Sequence, residues 1–307
     1  MYLDLQVNGY GGVDFNGDDL SVENLAVAWQ RLRADGVRGI LATIITDEID
    51  TMCARLRRLV DGCEQSSEIA EMILGMHIEG PFLNEQPGYI GAHPATAAQP
   101  ANLDGMKKLL EATSGRTKIV TLAPERDADY AVTRWLADQG IIVAAGHCNP
   151  SLDELKGSVA AGLSMFTHLG NGCPMEMHRH DNVIQRALTL ADQIWLGFIA
   201  DNVHVPFVAL HNYLSAAGTD RCFVVTDAIS AAGQGAGTYQ LGDRTVVVDD
   251  RLATWAADRS HLMGSAGTMP RSAQNLQGEL GLSAAQVEQL TWKNPCRILE
   301  VDSSPQA

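Results

Sequence analysis

The segment 118–149 reads KIVTLAPERDADYAVTRWLADQGIIVAAGHCN, and its pattern sets the fold expectation for the whole chain. It opens on an apolar run, Lys118–Leu122, that breaks at Ala123-Pro124-Glu125. A stretch with helical spacing follows. A second apolar run, Ile141–Ala145, then ends in Gly146-His147-Cys148-Asn149. Gly140 stands where a helix C-terminus should end. The two runs are short, rich in Val, Ile and Leu, and do not alternate with polar residues. Strands buried on both faces of a parallel sheet have this appearance.

Working outward, the same unit recurs. Further runs are Leu3–Val7, Gly39–Ile45, Met72–Ile78, Ser164–Thr167, Ile194–Ile199 and Cys222–Thr226. Between the second and third runs, Ile49, Met52, Cys53, Leu56, Leu59 and Val60 share one helical face, and Asp50, Arg55, Arg57, Arg58 and Asp61 the other. Ser151 with Glu154 has capping-box spacing, and Gly36 sits at another helix end. Strand-like runs alternating with helices, eight times over, predict an α/β fold of the (β/α)₈ TIM-barrel type, which typically takes about 250 residues. A doubly wound open sheet has the same periodicity and is the structural alternative.

Two regions fall outside the alternation. Residues 231–258 are Gly-rich and then strand-like. Thr238–Leu241 and Thr245–Val248 flank Gly242-Asp243-Arg244 as a hairpin would. From about 268 to 307 helical patterns return, with a cap at Ser283 and Gln286 and Pro295 opening a last short helix. We therefore expect one barrel domain over 1–307 with a hairpin insertion and a C-terminal helical extension.

Composition narrows the function. Of 307 residues 46% are hydrophobic, enough for a sizeable core, and 22 Lys and Arg against 37 Asp and Glu leave a net charge of −15. Nucleic acids and anionic membranes call for basic surfaces, so neither is an expected partner. There is no transmembrane-length apolar run, and Met1 to Gly9 lacks the features of a secretory signal. The six cysteines are scattered without a C-x-x-C pair, which reads as reduced thiols in a cytoplasmic protein.

The unusual polar residues cluster after the runs, where a barrel builds its chemistry. Glu79, His147, His168 and Asp227 fall at equivalent ends of different strands. Singly, each has an ordinary reading, as a hydrogen-bonded histidine or a capping carboxylate. Together, two imidazoles and a carboxylate suit one divalent ion, Zn²⁺ or Fe²⁺, with a position left for water. Asp227 would then be the base. Gly233–Gly237 lacks the last glycine of a dinucleotide loop and reads as an ordinary loop. His178-Arg179-His180 reads as a basic cluster, and Ser265 lies outside any G-x-S-x-G.

These blocks resemble the N-acetylglucosamine-6-phosphate deacetylases of the amidohydrolase superfamily. The matching stretches, in family order over nearly the whole chain, are Asp4–Gly9, His77–Leu83, Gly91–Pro94, Thr121–Glu125, Gly146–Asn149, Thr167–Asn171, Ala200–His204, Val225–Ala228 and Gly264–Thr268. The resemblance implies Glu79, His147 and His168 as metal ligands, Asp227 as catalytic acid and base, and His93 as the group that orients the acetamide. It implies Asn171, Gly172 and His204 as holders of the sugar phosphate, and Arg179 as an arginine reaching the substrate of a neighbouring subunit in a homodimer. Gln6 and Asn8 stand where two-metal relatives carry His-x-His, which favours one metal and leaves at most a vestigial second site. Arg179 is followed by His180-Asp181, where the family has x-Pro-Gly. The family's small β-sandwich, built from both termini, has no counterpart expected here. The implied activity is release of acetate from N-acetylglucosamine 6-phosphate. The alternatives are another N-acetyl amino-sugar phosphate such as the galactosamine epimer, a cyclic amide, or a sugar-phosphate sensor without turnover.

Overall fold

The structure is a computed structural model, and it describes residues 1–241, 244–259 and 261–304. Eight strands form one sheet: β1 (Tyr2–Val7), β2 (Val37–Ile45), β3 (Ile73–Glu79), β4 (Thr117–Leu122), β5 (Ile142–Ala145), β6 (Leu163–Phe166), β7 (Trp195–Ile199) and β8 (Cys222–Val225). They run in sequence order, and every neighbouring pair is parallel. The expected runs lie within two residues of these strands.

The two edges of the sheet meet. Asp227 N–H donates to the Gln6 carbonyl at 3.1 Å, and Asn8 N–H to the Ala228 carbonyl at 2.7 Å. Lower in the seam a side chain completes the ladder. The buried Asp4 carboxylate accepts from Thr226 N–H at 3.2 Å and from Thr226 Oγ1 at 2.6 Å. Burial pushes the Asp4 carboxyl up to about 7, against the hydrogen bonds that stabilise its charge. The barrel is thus the fold, and the open-sheet alternative falls away.

Helices α1 (Val22–Ala34), α2 (Ile49–Gln65), α3 (Ser67–Met72), α4 (Leu103–Ala112), α5 (Ala131–Asp138), α6 (Leu152–Ala160), α7 (Val183–Leu188) and α8 (Phe207–Ala217) intervene between strands. On α2 the predicted face is buried at Met52, Cys53, Leu56, Leu59 and Val60 and half-buried at Ile49. Ser151 and Glu154 make the expected reciprocal cap on α6. Gly36 and Gly140 adopt φ of +76° and +73° as the chain leaves α1 and α5.

Inside the barrel Leu3, Leu5, Leu41, Ile119, Met165 and Phe223 pack in one cluster with Trp292, Cys296 and Ile298. The last three come from the C-terminal segment, which includes α9 (Met269–Gly278), α10 (Ala284–Glu288) and α11 (Asn294–Leu299). That segment therefore plugs one end of the barrel. The cap at Ser283 forms as expected, and Pro295 lies in the first turn of α11, which continues from helical turns before it.

After β8 come three antiparallel strands, β9 (Gly237–Leu241), β10 (Arg244–Val248) and β11 (Thr254–Ala256). The insertion is one strand larger than a hairpin, and Gly242 and Asp243 of the expected turn lie outside the described residues. Its apolar side, Val246, Val248 and Ala256, packs with Ile229 and Met263, and Ala92 of the β3 loop packs against the same cluster. No described helix is long and apolar enough to cross a membrane.

Candidate metal centre and active site

Glu79 is the last residue of β3. His147, His168 and Asp227 each lie two residues beyond the ends of β5, β6 and β8. The equivalent strand ends bring all four together. His168 Nε2 is 3.0 Å and His147 Nε2 3.4 Å from Glu79 Oε1. The three donor atoms lie within 4.8 Å of one another, and all three residues are buried. Donors around a tetrahedral ion at about 2.0–2.1 Å would stand roughly 3.3 Å apart, so this spacing suits a divalent ion. The tautomers fit as well. His147 Nδ1 lies 2.8 Å from the Tyr89 carbonyl, which can only accept, so Nδ1 carries the proton and Nε2 is free to ligate.

The backbone there is unusual. His147, His168 and Asp227 have φ of +50°, +31° and +52°, a region that non-glycine side chains rarely occupy. Gly172 explains itself by close approach. A Cβ on it would come within 2.9 Å of His147 Nδ1.

Electrostatics separate the groups. Burial raises the Glu79 carboxyl, but the imidazoles of His147 and His168 beside it outweigh burial and hold Glu79 well below the usual carboxylate range. Asp227 goes the other way, raised by burial and by the Glu79 charge. Its Oδ1 accepts from Asn8 Nδ2 at 2.7 Å and from Gln6 Nε2 at 3.2 Å. Gln6 Nε2 also donates to Glu79 Oε1 at 3.2 Å. Both amides thus turn nitrogen, not oxygen, towards the carboxylates. His93 is buried with its ring 4.3 Å from that of His147. Burial and the His147 ring push it down to about 3, so it is neutral.

His77, the first residue of the family-like block, is no part of this group. It bridges Thr43 and Thr121 at 3.3 and 2.8 Å beneath the site, and burial pushes it down to about 4.

A cavity of about 220 Å³ opens above these residues, lined among others by Glu79, His93, His147, Asn171, Gly172, His204 and Asp227. His204 Nδ1 lies 2.6 Å from Asp201 Oδ2. Burial lowers the imidazole's pKa, but the Asp201 charge more than offsets it and the net shift is upward. Arg179 behaves differently. It is exposed and does not line this chain's cavity. Ser265 is structural. Its N–H donates to the Asp227 carbonyl at 3.2 Å, and its Oγ accepts from Gly267 N–H at 2.9 Å.

The cavity also takes in Asp14, Asn16, Asp47, Arg55 and Arg244, which sequence reasoning missed. Arg55 was readable only as the polar face of α2, where Asp47 and Asp18 pair with it at 2.8 and 3.5 Å. Arg244 lies on β10 and donates to the Ala92 carbonyl, next to His93, at 3.3 Å. No local signal announces that the insertion folds back over the β3 loop.

Fold and site together define a barrel hydrolase of the amidohydrolase type, with a buried carboxylate and two imidazoles suited to a divalent ion. The comparisons narrow this. The N-acetylglucosamine-6-phosphate deacetylase of Bacillus subtilis strain 168 is 31% identical over 301 residues, 97% of this chain and 74% of the relative. The chain belongs to the N-acetylglucosamine-6-phosphate deacetylase family. An N-acetylgalactosamine-6-phosphate deacetylase of Escherichia coli O157:H7 is 28% identical over 98% of this chain and 78% of its own length. Among solved structures, a mutant N-acetyl-D-glucosamine-6-phosphate deacetylase from Mycobacterium smegmatis in complex with N-acetyl-D-glucosamine-6-phosphate superposes with a TM-score of 0.87. It is 26% identical, over 98% of this chain and 77% of that one. No protein-family model matches the chain.

Proposed function

We propose that this protein hydrolyses the N-acetyl group of N-acetylglucosamine 6-phosphate, yielding acetate and glucosamine 6-phosphate. The observation that carries the reading is the Asp227 carboxylate, shifted upward by burial and the Glu79 charge and held in place by Asn8 and Gln6, beside the buried Glu79, His147 and His168. Those three residues would hold one divalent ion, Zn²⁺ or Fe²⁺, whose chemistry there is to polarise the acetyl carbonyl and make water acidic. Asp227 takes a proton from water as its oxygen adds to the carbonyl carbon. Neutral His93 donates a hydrogen bond to the oxyanion that develops. Asp227 then passes the proton to the nitrogen as the carbon–nitrogen bond breaks, because an amine anion is a very poor leaving group.

Asn171, Gly172 and His204 would hold the sugar phosphate, with the Asp201 charge shifting His204 upward towards its cationic form. Arg179, exposed and away from its own cavity, would reach a neighbouring subunit's substrate in a homodimer. Arg244 is the arginine that the cavity holds without an ion-pair partner among the described residues, and it would help draw an anion into an acidic protein. All six cysteines are free, which supports a reducing cytoplasmic setting.

The E. coli relative gives a specific reason to test the galactosamine epimer beside the glucosamine one. Acetate release from each sugar phosphate, with elemental analysis of the same preparation, tests the reading. Turnover with about one tightly held ion per chain is expected. A metal-loaded protein that binds the sugar phosphates and releases no acetate would revive the sensor reading.

A further inference from the structure

Glu125 stands just beyond β4, in the short turn Pro124–Arg126, and belongs neither to the metal-binding group nor to the residues lining the cavity. Its carboxylate nevertheless joins the loop that follows Glu79 at the end of β3 to the loop that carries His147. Oε1 accepts from Asn84 Nδ2 at 2.8 Å and from the Asn149 backbone N–H at 2.5 Å. Asn84 lies on the loop after β3, five residues beyond Glu79. Asn149 lies two residues beyond His147. Asn84 N–H donates in turn to the His147 carbonyl at 3.0 Å, closing a ring of contacts around that residue.

His147 needs such support. Its backbone is left-handed at φ +50°, a conformation an L-residue keeps only where the surroundings over-determine it. The far side of the loop is held too, since Arg186 Nη1 donates to Asn149 Oδ1 at 3.1 Å and to the Pro150 carbonyl at 2.8 Å.

We propose that Glu125 is a positioning residue for the metal centre: its carboxylate oxygen clamps the β3 and β5 loops together and so holds His147 Nε2 opposite Glu79. The inference rests on the metal reading given under Proposed function. It requires an acceptor at Oε1, not a charge, because both donors are neutral N–H groups. Glutamine should therefore serve and alanine should not.

The test compares the wild type with Glu125→Gln and Glu125→Ala, each stripped of metal and titrated with Zn²⁺ against a competing chelator. Glu125→Ala is expected to bind Zn²⁺ about 10–100-fold more weakly, the usual effect of losing an outer-shell partner. Glu125→Gln should stay within about threefold of the wild type, well short of that range. Hydrogen exchange over 146–150 in the apo proteins should quicken in the alanine variant only. If Glu125→Ala does not fold, Asn84→Ala cuts one arm of the clamp and should weaken Zn²⁺ by about tenfold, the low end of the range. Wild-type affinity in the alanine variants would overturn the proposal, as would equal losses for Glu125→Gln and Glu125→Ala. A wild type that binds no Zn²⁺ would instead sink the metal reading, and the exchange rates would still decide whether the clamp exists.

Discussion

The two ends of the barrel put the same backbone conformation to different use. Where the chain leaves α1 and α5 towards the next strand, the left-handed positions are Gly36 and Gly140, which carry no side chain to object. At the strands' C-terminal ends the left-handed positions include, besides Gly80, His147, His168 and Asp227, all three of them buried and with side chains that do. The interiors differ likewise. One end is packed with Leu3, Leu5, Leu41 and Phe223 beneath Trp292 and Cys296, and the other gathers carboxylates, imidazoles and amides. Left-handed backbone at a residue with a side chain also occurs at Ser114, where the chain turns from α4 to β4, but at the mouth it brings three buried polar side chains into one cluster.

The sharpest way to break this comparison is at the mouth. Asp227→Asn keeps the size and the hydrogen-bonding reach of the side chain but can neither accept nor return a proton. Turnover should fall by about 10²–10⁴-fold with the metal content unchanged, whereas His147→Ala should lose both metal and activity. Retention of more than roughly a tenth of wild-type turnover, a smaller loss than that range allows, would show that Asp227 is not the acid and base.

Leu41→Ala probes the opposite end. Leu41 is fully buried in the plug. Its truncation should cost about 2–5 kcal/mol in denaturant unfolding. The kcat of the protein that remains folded should be unaltered, and a matching fall in kcat would mean the two ends are not separable.

Arg179 tests whether one chain completes its own mouth. Mixed dimers of Arg179→Ala and Asp227→Asn chains would contain one site with an intact Asp227 and its partner's intact Arg179. Activity should reappear in them, and verified heterodimers that stay inactive would assign the arginine to its own chain.

A pH series sharpens the electrostatics. His204 is shifted upward, with the Asp201 charge and hydrogen bond prevailing over burial. Its charge is therefore complete below the ordinary histidine range, around 6.5, and is lost only as pH rises through the raised value. KM for the phosphorylated sugar should rise over that upper window, and Asp201→Asn should move the rise to lower pH. A KM profile unmoved by that substitution would remove His204 from phosphate binding.

The smallest effect belongs to Gly140. A Cβ there meets nothing within 4 Å, so Gly140→Ala isolates backbone strain at φ +73°. It should cost about 1–2 kcal/mol in thermal unfolding and leave kcat untouched.

The sequence by itself determined the alternation of buried strands with helices and the rim at which the polar residues gather; closure of the sheet into a barrel was decided by the structure. Buried parallel strands must be apolar over short runs, and the residues that follow each run must lie at one rim. Glu79, His147, His168 and Asp227 could therefore be read as neighbours although 148 positions separate the first from the last (227 − 79). Tertiary structure alone decided the rest. Whether Gln6 and Asn8 ligate or donate depends on which amide atom faces Asp227, a matter of orientation that residue type leaves open. The reach of Arg244 to the β3 loop, the clamp at Glu125 and the plug around Trp292 join elements distant in sequence. Those contacts follow from how the insertion, the loops and the C-terminal helices pack in space, and packing at long range leaves no periodicity to read.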